Sequence, residues 1–151
     1  MIREQRSTIC WGIAVAILCQ GCRKEAPPPI VAAQGVVMLN GAPLPTVQVR
    51  FIPQIKFGPQ FIATGVTDAQ GRYSLTCNGQ PGACAVENMV TVSEAEIPAK
   101  LQGENAQREL ATYLQALKNR PVPQNYGSPA TTPLSVSVTE GQSEYKLDLH
   151  R

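Results

Sequence analysis

The chain has 151 residues, which is enough for one domain with a hydrophobic core and short for two. It carries a net charge of +2 and collects no basic patch, so we expect no nucleic-acid partner. The 13 prolines, 12 glycines and single histidine disfavour long helices and most histidine-dependent catalysis. This composition favours a small β-rich domain.

The first segment, residues 1–21, has the pattern of an export signal. Arg3 and Arg6 precede the apolar run Ile9–Cys19, which is shorter than the roughly 20 residues that a spanning helix needs. An uncleaved amphiphilic anchor is the alternative. The signal reading predicts that the rest of the protein is exported.

The dipeptide Gly21-Cys22 resembles the end of a bacterial lipobox, although Cys19 and Gln20 stand where that pattern prefers Leu and a small residue. The resemblance implies that Cys22 is lipidated and holds the protein on a bacterial membrane, facing the periplasm or the cell surface. Residues 22–33 include Pro27–Pro29, which favour an extended spacer between anchor and domain. A disordered N-terminus is the alternative interpretation.

From residue 34 to 151, short segments alternate apolar and polar residues, as half-buried strands do. In 46–51, for example, Val47, Val49 and Phe51 share one face. The pattern predicts an all-β fold, a seven-stranded antiparallel β-sandwich, with strands at 35–39, 46–51, 61–67, 71–77, 86–92, 134–139 and 145–149.

Two turns support this pattern. Asn40-Gly41 is the strongest short signal for a hairpin, because a type I′ turn needs positive φ at both central positions. In the turn 68–71, Asp68 can accept bonds from the backbone ahead of it, and Gly71 can take the left-handed position.

Three segments, GVVMLNGAPL (35–44), VQVRFIP (47–53) and TDAQGRY (67–73), resemble the carboxypeptidase regulatory-like family. Together with 123–134, they are similar to small exported lipoproteins of that family common in planctomycete bacteria. The resemblance covers about 34–149 and implies a transthyretin (prealbumin)-like sandwich without catalytic machinery. Val86 and Asn88 depart from the family, which tends to have Gly and Tyr there.

An insertion at about 100–120, before the last two strands, breaks the strand pattern. Four apolar side chains recur at helical spacing within 104–118, namely Leu110, Tyr113, Leu114 and Leu117. We expect a helix here. It either packs across one sheet edge or binds a partner.

Cys77 and Cys84 flank a turn-rich loop that can bring its ends together. In an exported protein such a pair predicts a structural disulfide. A redox role lacks a CxxC motif, and metal binding lacks further ligands.

No catalytic or metal site is predicted, and no cofactor. His150 points outward by strand parity, Asp68 has its turn role, and the acidic side chains Glu87, Glu94 and Glu96 are expected to lie on solvated faces. The sequence therefore favours a non-enzymatic, membrane-anchored envelope or surface lipoprotein, a structural or interaction domain whose partner is an envelope protein or polysaccharide. The alternative is a carbohydrate- or polymer-binding β-sandwich module. A hydrolase is disfavoured.

Overall fold

A computed structural model describes residues 26–54 and 58–151. The predicted export signal, Cys22 and the first part of the predicted spacer lie outside these residues. The described chain forms twelve strands in three sheets and a single α-helix, so the fold class is all-β. In chain order the strands are β1 (Ile30–Val31), β2 (Gln34–Leu39), β3 (Ala42–Pro43), β4 (Val47–Pro53), β5 (Ala63–Val66), β6 (Arg72–Ser74), β7 (Thr76–Cys77), β8 (Gln80–Pro81), β9 (Ala83–Cys84), β10 (Glu87–Glu94), β11 (Ser135–Ser137) and β12 (Leu147–Leu149).

The largest sheet has six strands in the order β11-β10-β4-β5-β7-β8. Its centre is the antiparallel pair β4 and β10, which runs from Val47 opposite Glu94 to Pro53 opposite Asn88. Alternate residues of these two strands are fully buried, as their period-two pattern predicts.

The second sheet is built around β2. Strand β12 pairs parallel with β2 on one side, while β3 and β6 pair antiparallel with it on the other. The third sheet consists only of β1 and β9.

The two larger sheets share one core of buried side chains. Phe51 of the six-stranded sheet packs its ring 6.2 Å from Tyr73 and 6.3 Å from Tyr145, centre to centre. These spacings are typical of aromatic pairs in protein interiors.

The strand count and pairing differ from the seven antiparallel strands that the sequence predicts. The expected strand at 71–77 divides at Leu75, because residues 72–74 pair with β2 and residues 76–77 pair with β5. The chain thus passes from one sheet to the other within a continuous alternating pattern. Furthermore, β12 runs parallel to β2, which corrects the expectation that all pairs are antiparallel.

The fold has two distinct ends. The N-terminal end holds β1, where Ile30 pairs with Cys84, and the beginning of β2 at Gln34. The insertion end holds the last residue of β2, Leu39, and the pair of Val47 with Glu94. The six residues of β2 separate the two ends by about 17 Å.

The insertion follows β10 at the insertion end. It contains 3-10 turns at Ala99–Leu101 and Glu104–Ala106 and the helix α1 (Gln107–Ala116). No residue of α1 is buried, and the helix packs mainly on the two turns before it. The expectation that the helix packs across a sheet edge is therefore not met, because the apolar face of the helix stays partly exposed. Within the described residues, no helix is long and apolar enough to cross a membrane.

Candidate functional sites

The cysteine pair lies in the core at the N-terminal end of the fold. Cys77 and Cys84 are both free thiols with no exposed surface. Their sulfur atoms lie 3.2 and 3.6 Å from the carbonyl oxygen of Phe61. The structure holds the two residues as free thiols rather than as the predicted disulfide, and the two thiols also form a hydrogen bond with each other.

Burial also lowers the reactivity of these thiols. Burial raises the pKa of Cys84 to about 11, and the neighbouring Cys77 adds to the rise. Burial raises the pKa of Cys77 as well, although its hydrogen bond with Cys84 opposes part of that effect. Since the thiolate is the species that attacks a disulfide or binds a metal, both thiols are held in the inert form at neutral pH.

The two turns have the geometry that their chemistry requires. Asn40 and Gly41 have φ of 50° and 79°, the positive values of a type I′ turn. The Asp68 carboxylate accepts hydrogen bonds from the backbone amides of Gln70 and Arg72, both at 2.9 Å, and Gly71 has φ 75°. These residues shape the backbone of the two turns.

The acidic side chains do not converge. Glu87 accepts a hydrogen bond from Ser135 at 3.0 Å, whereas Glu94 pairs with Arg120 at the far end of the same strand. Glu87 and Glu94 are the first and last residues of the eight-residue β10, so about 23 Å of strand separates them. Across residues 26–54 and 58–151, no group of three or more His, Cys, Asp or Glu side chains could hold a metal ion.

His150 is exposed, as strand parity predicts. Its backbone N–H donates to the Tyr126 hydroxyl at 3.0 Å, and that hydroxyl lies 3.2 Å from its carbonyl oxygen. These bonds tie the end of the chain to the segment before β11 through the backbone of His150.

A shallow groove of about 690 Å³ lies along the second sheet. Val36 and Met38 of β2 contribute apolar surface, and the charged side chains Arg72, Glu144 and Lys146 also line it. Tyr73 and Tyr145 border the groove but are only 3% and 5% exposed. The groove therefore offers hydrogen-bonding groups without an exposed aromatic surface on which a sugar could stack.

A second groove, of about 480 Å³, lies between the turn Ala99–Leu101 and α1 at the insertion end. Its surface is mainly apolar, with Leu101 and Tyr113 among the lining residues and Lys100 and Arg108 beside them. We call it the insertion groove. Its volume lies within the range of small-molecule sites in proteins.

The attachment of the insertion to the sheets was not predicted from the sequence. The Asn119 side-chain amide donates to the carbonyls of Leu39 and Ala42 at 3.0 and 3.2 Å. The Arg120 guanidinium donates to the carbonyls of Pro45 and Thr46, both at 2.8 Å. These acceptors are backbone atoms, so no side-chain pattern in the sequence marks them. Only the break in the helical pattern before Pro121 indicates that the chain returns to the sheets here.

Comparisons with family models, curated proteins and solved structures found no match to this chain. The resemblance to the carboxypeptidase regulatory-like family therefore continues to rest on the motifs at 35–44, 47–53 and 67–73.

Proposed function

We propose that this protein is a non-enzymatic, membrane-anchored lipoprotein of the bacterial envelope or surface, whose domain serves as a structural or interaction module. Cys22 carries the lipid, residues 22–33 form the spacer, and residues 34–151 form the domain. The anchoring part of this proposal rests on the sequence pattern at residues 1–22.

The observation that carries the interaction role is the position of the exposed apolar side chains. Three large hydrophobic side chains of the described chain are exposed: Val66 at 54%, Leu114 at 48% and Ile97 at 36%. Val66 pairs with Gln48 at the insertion end, and the other two belong to the insertion itself. A tether that enters at the N-terminal end directs this surface away from the membrane, where a partner can reach it.

We also propose that the domain is a transthyretin-like sandwich of the carboxypeptidase regulatory-like family. The shared core of the two larger sheets, the Asn40-Gly41 hairpin and the Asp68–Gly71 turn support this assignment. The chain also has free thiols at Cys77 and Cys84, a β12 that runs parallel to β2, and the insertion. The alternative of polymer binding draws support from the groove along the second sheet, but the buried tyrosines beside it weigh against sugar stacking.

The anchor is tested by membrane fractionation of the full chain with the substitution Cys22→Ala. We expect the variant to accumulate as an unprocessed precursor or to leave the membrane fraction, because a diacylated cysteine supplies stable attachment and the peptide alone does not. Cys19→Ala is the matched control and is expected to behave as the wild type. Normal processing and membrane retention of Cys22→Ala would contradict the proposed anchor.

The interaction role is tested in the same membranes by replacing Leu114 with a photoreactive residue and looking for cross-linked products. We expect a discrete cross-linked species of reproducible mass, whereas the same group in place of exposed Lys146 on the second sheet should give none. Equal cross-linking at both positions, or at neither, would contradict a partner at the insertion end.

A further inference from the structure

The insertion groove joins an apolar surface to a charged rim. Pro98, Leu101 and Tyr113 supply apolar surface, and Thr112 lies on the helix side. Leu101 is 5% exposed and forms part of the packed base, while Tyr113 is half-buried. A bound apolar chain would therefore be shielded from water on one side by a preformed surface.

The charges beside this surface are free to meet a ligand. Lys100 and Arg108 line the groove, and neither side chain forms an ion pair with any residue in the described part of the chain. Glu109 is the one acidic side chain in the lining, so two cations stand against one carboxylate. An anion held here can form a charge-assisted contact with either cation without breaking an existing ion pair.

The groove along the second sheet provides a comparison. It also carries two cations, Arg72 and Lys146, but Lys146 is already paired with Asp148 at 3.0 Å. Its lining is nearly as polar as it is apolar, and Glu144 adds a second carboxylate nearby. Among the described residues, both lining cations of the insertion groove are without an ion pair, whereas in the groove along the second sheet only Arg72 is.

We propose that the insertion groove binds an anionic amphiphile of the fatty-carboxylate class. The apolar chain lies on Pro98 and Tyr113, above the buried Leu101, and the carboxylate lies between Lys100 and Arg108. This site goes beyond the proposed function and does not depend on the lipid anchor, since all its residues belong to the insertion.

The test is photo-cross-linking of the full chain in its membranes with a diazirine analogue of dodecanoate, below the concentration at which it forms micelles. Labelled peptides are mapped by mass spectrometry. We expect labelling concentrated within 98–113, suppressed by excess dodecanoate, and at least fivefold weaker with the methyl ester of the same probe. Labelling spread evenly over the chain, or equal labelling by acid and ester, would overturn the proposal.

Two variants separate the carboxylate contact from the apolar contact. The double variant K100Q/R108Q should lose at least fivefold in labelling by the acid and retain labelling by the ester. The charge-matched control R72Q/K146Q, on the second sheet, should label as the wild type does. Thr112→Trp, at an exposed position beside the groove, should reduce labelling by both probes. Undiminished labelling of K100Q/R108Q or of Thr112→Trp would show that the ligand binds elsewhere.

Discussion

At the scale of single residues, Gly35 shows how closely the second sheet is built. The chain at Tyr145 crosses β2 so closely that a Cβ atom at Gly35 would lie 1.9 Å from the Tyr145 carbonyl oxygen. That carbonyl also accepts a hydrogen bond from the Tyr73 hydroxyl. The glycine is required here by a backbone contact rather than by an unusual φ value.

We therefore expect Gly35→Ala to lower the free energy of unfolding by about 1–3 kcal/mol, because the strands must separate to admit a methyl group. Urea denaturation measures the change. The control is Gly103→Ala, where the added Cβ meets no atom within 4 Å and the backbone is extended. It should leave stability unchanged or raise it by up to about 1 kcal/mol. Equal stability of the two variants would disprove the close approach.

Local chemistry makes the geometry of the two turns predictable from sequence. The turns at Asn40-Gly41 and Asp68–Gly71 depend on residues four or fewer apart, so their geometry can be inferred from sequence. By contrast, the surroundings of Cys77 and Cys84 include the Phe61 carbonyl, which approaches both sulfurs from a separate segment. The sequence pattern predicts a disulfide because cysteine pairs in exported proteins usually join, whereas the structure holds the two residues as free thiols.

At the scale of elements, the insertion is fastened at its end rather than along its helix. None of the ten residues of α1 is buried, whereas Asn119 and Arg120 bind carbonyl groups in the segment that links β2 to β4. Arg120 is 16% exposed and its Nε lies 2.9 Å from Glu94, although that N–H is not aligned for a hydrogen bond. The periodicity of 104–118 predicts a helix, but it carries no information on what the helix contacts.

We expect Asn119→Gly to lower the free energy of unfolding by about 1–3 kcal/mol, because it leaves carbonyl groups of the 39–43 hairpin without their donor. Glycine keeps the positive φ of this position, 61°, accessible. Trypsin cleavage at Lys100 and Arg108 should also become faster as the insertion detaches.

Asn78→Gly is the matched control. Asn78 is also an asparagine with positive φ, 49°, but it is exposed in a tight turn. This variant should change stability by no more than about 0.5 kcal/mol and leave the cleavage rate unchanged. Equal effects of the two substitutions would show that the Asn119 amide does not hold the insertion.

At the scale of the whole molecule, the last strand, β12, packs into the same core as β2 near the start of the domain. Leu147 and Leu149 of β12 are opposite Val37 and Leu39 of β2, and all four side chains are at most 2% exposed. The N-terminal and C-terminal parts of the domain therefore depend on each other for burial, and we expect the sheets to unfold together.

Leu149→Ala should lower the free energy of unfolding by about 2–5 kcal/mol, because it leaves a cavity in a fully buried position. Leu114→Ala removes the same atoms from a side chain that is 48% exposed, and it should cost less than about 1 kcal/mol. Thermal and urea unfolding of both variants measure the difference. Similar losses would contradict the separation of a buried core from an exposed insertion.

The sequence was enough to predict the fold class, the faces of most strands, the two turns and a helix in the insertion. Each of these depends on neighbouring residues and their periodicity. The alternating faces at 47–51 and 73–77 are buried and exposed as predicted. Contacts between distant segments decide that the strand at 71–77 divides between two sheets and that β12 runs parallel to β2. They also place the insertion and its groove at the end opposite β1. These features depend on contacts between distant segments, many of them to backbone carbonyls that every sequence carries alike.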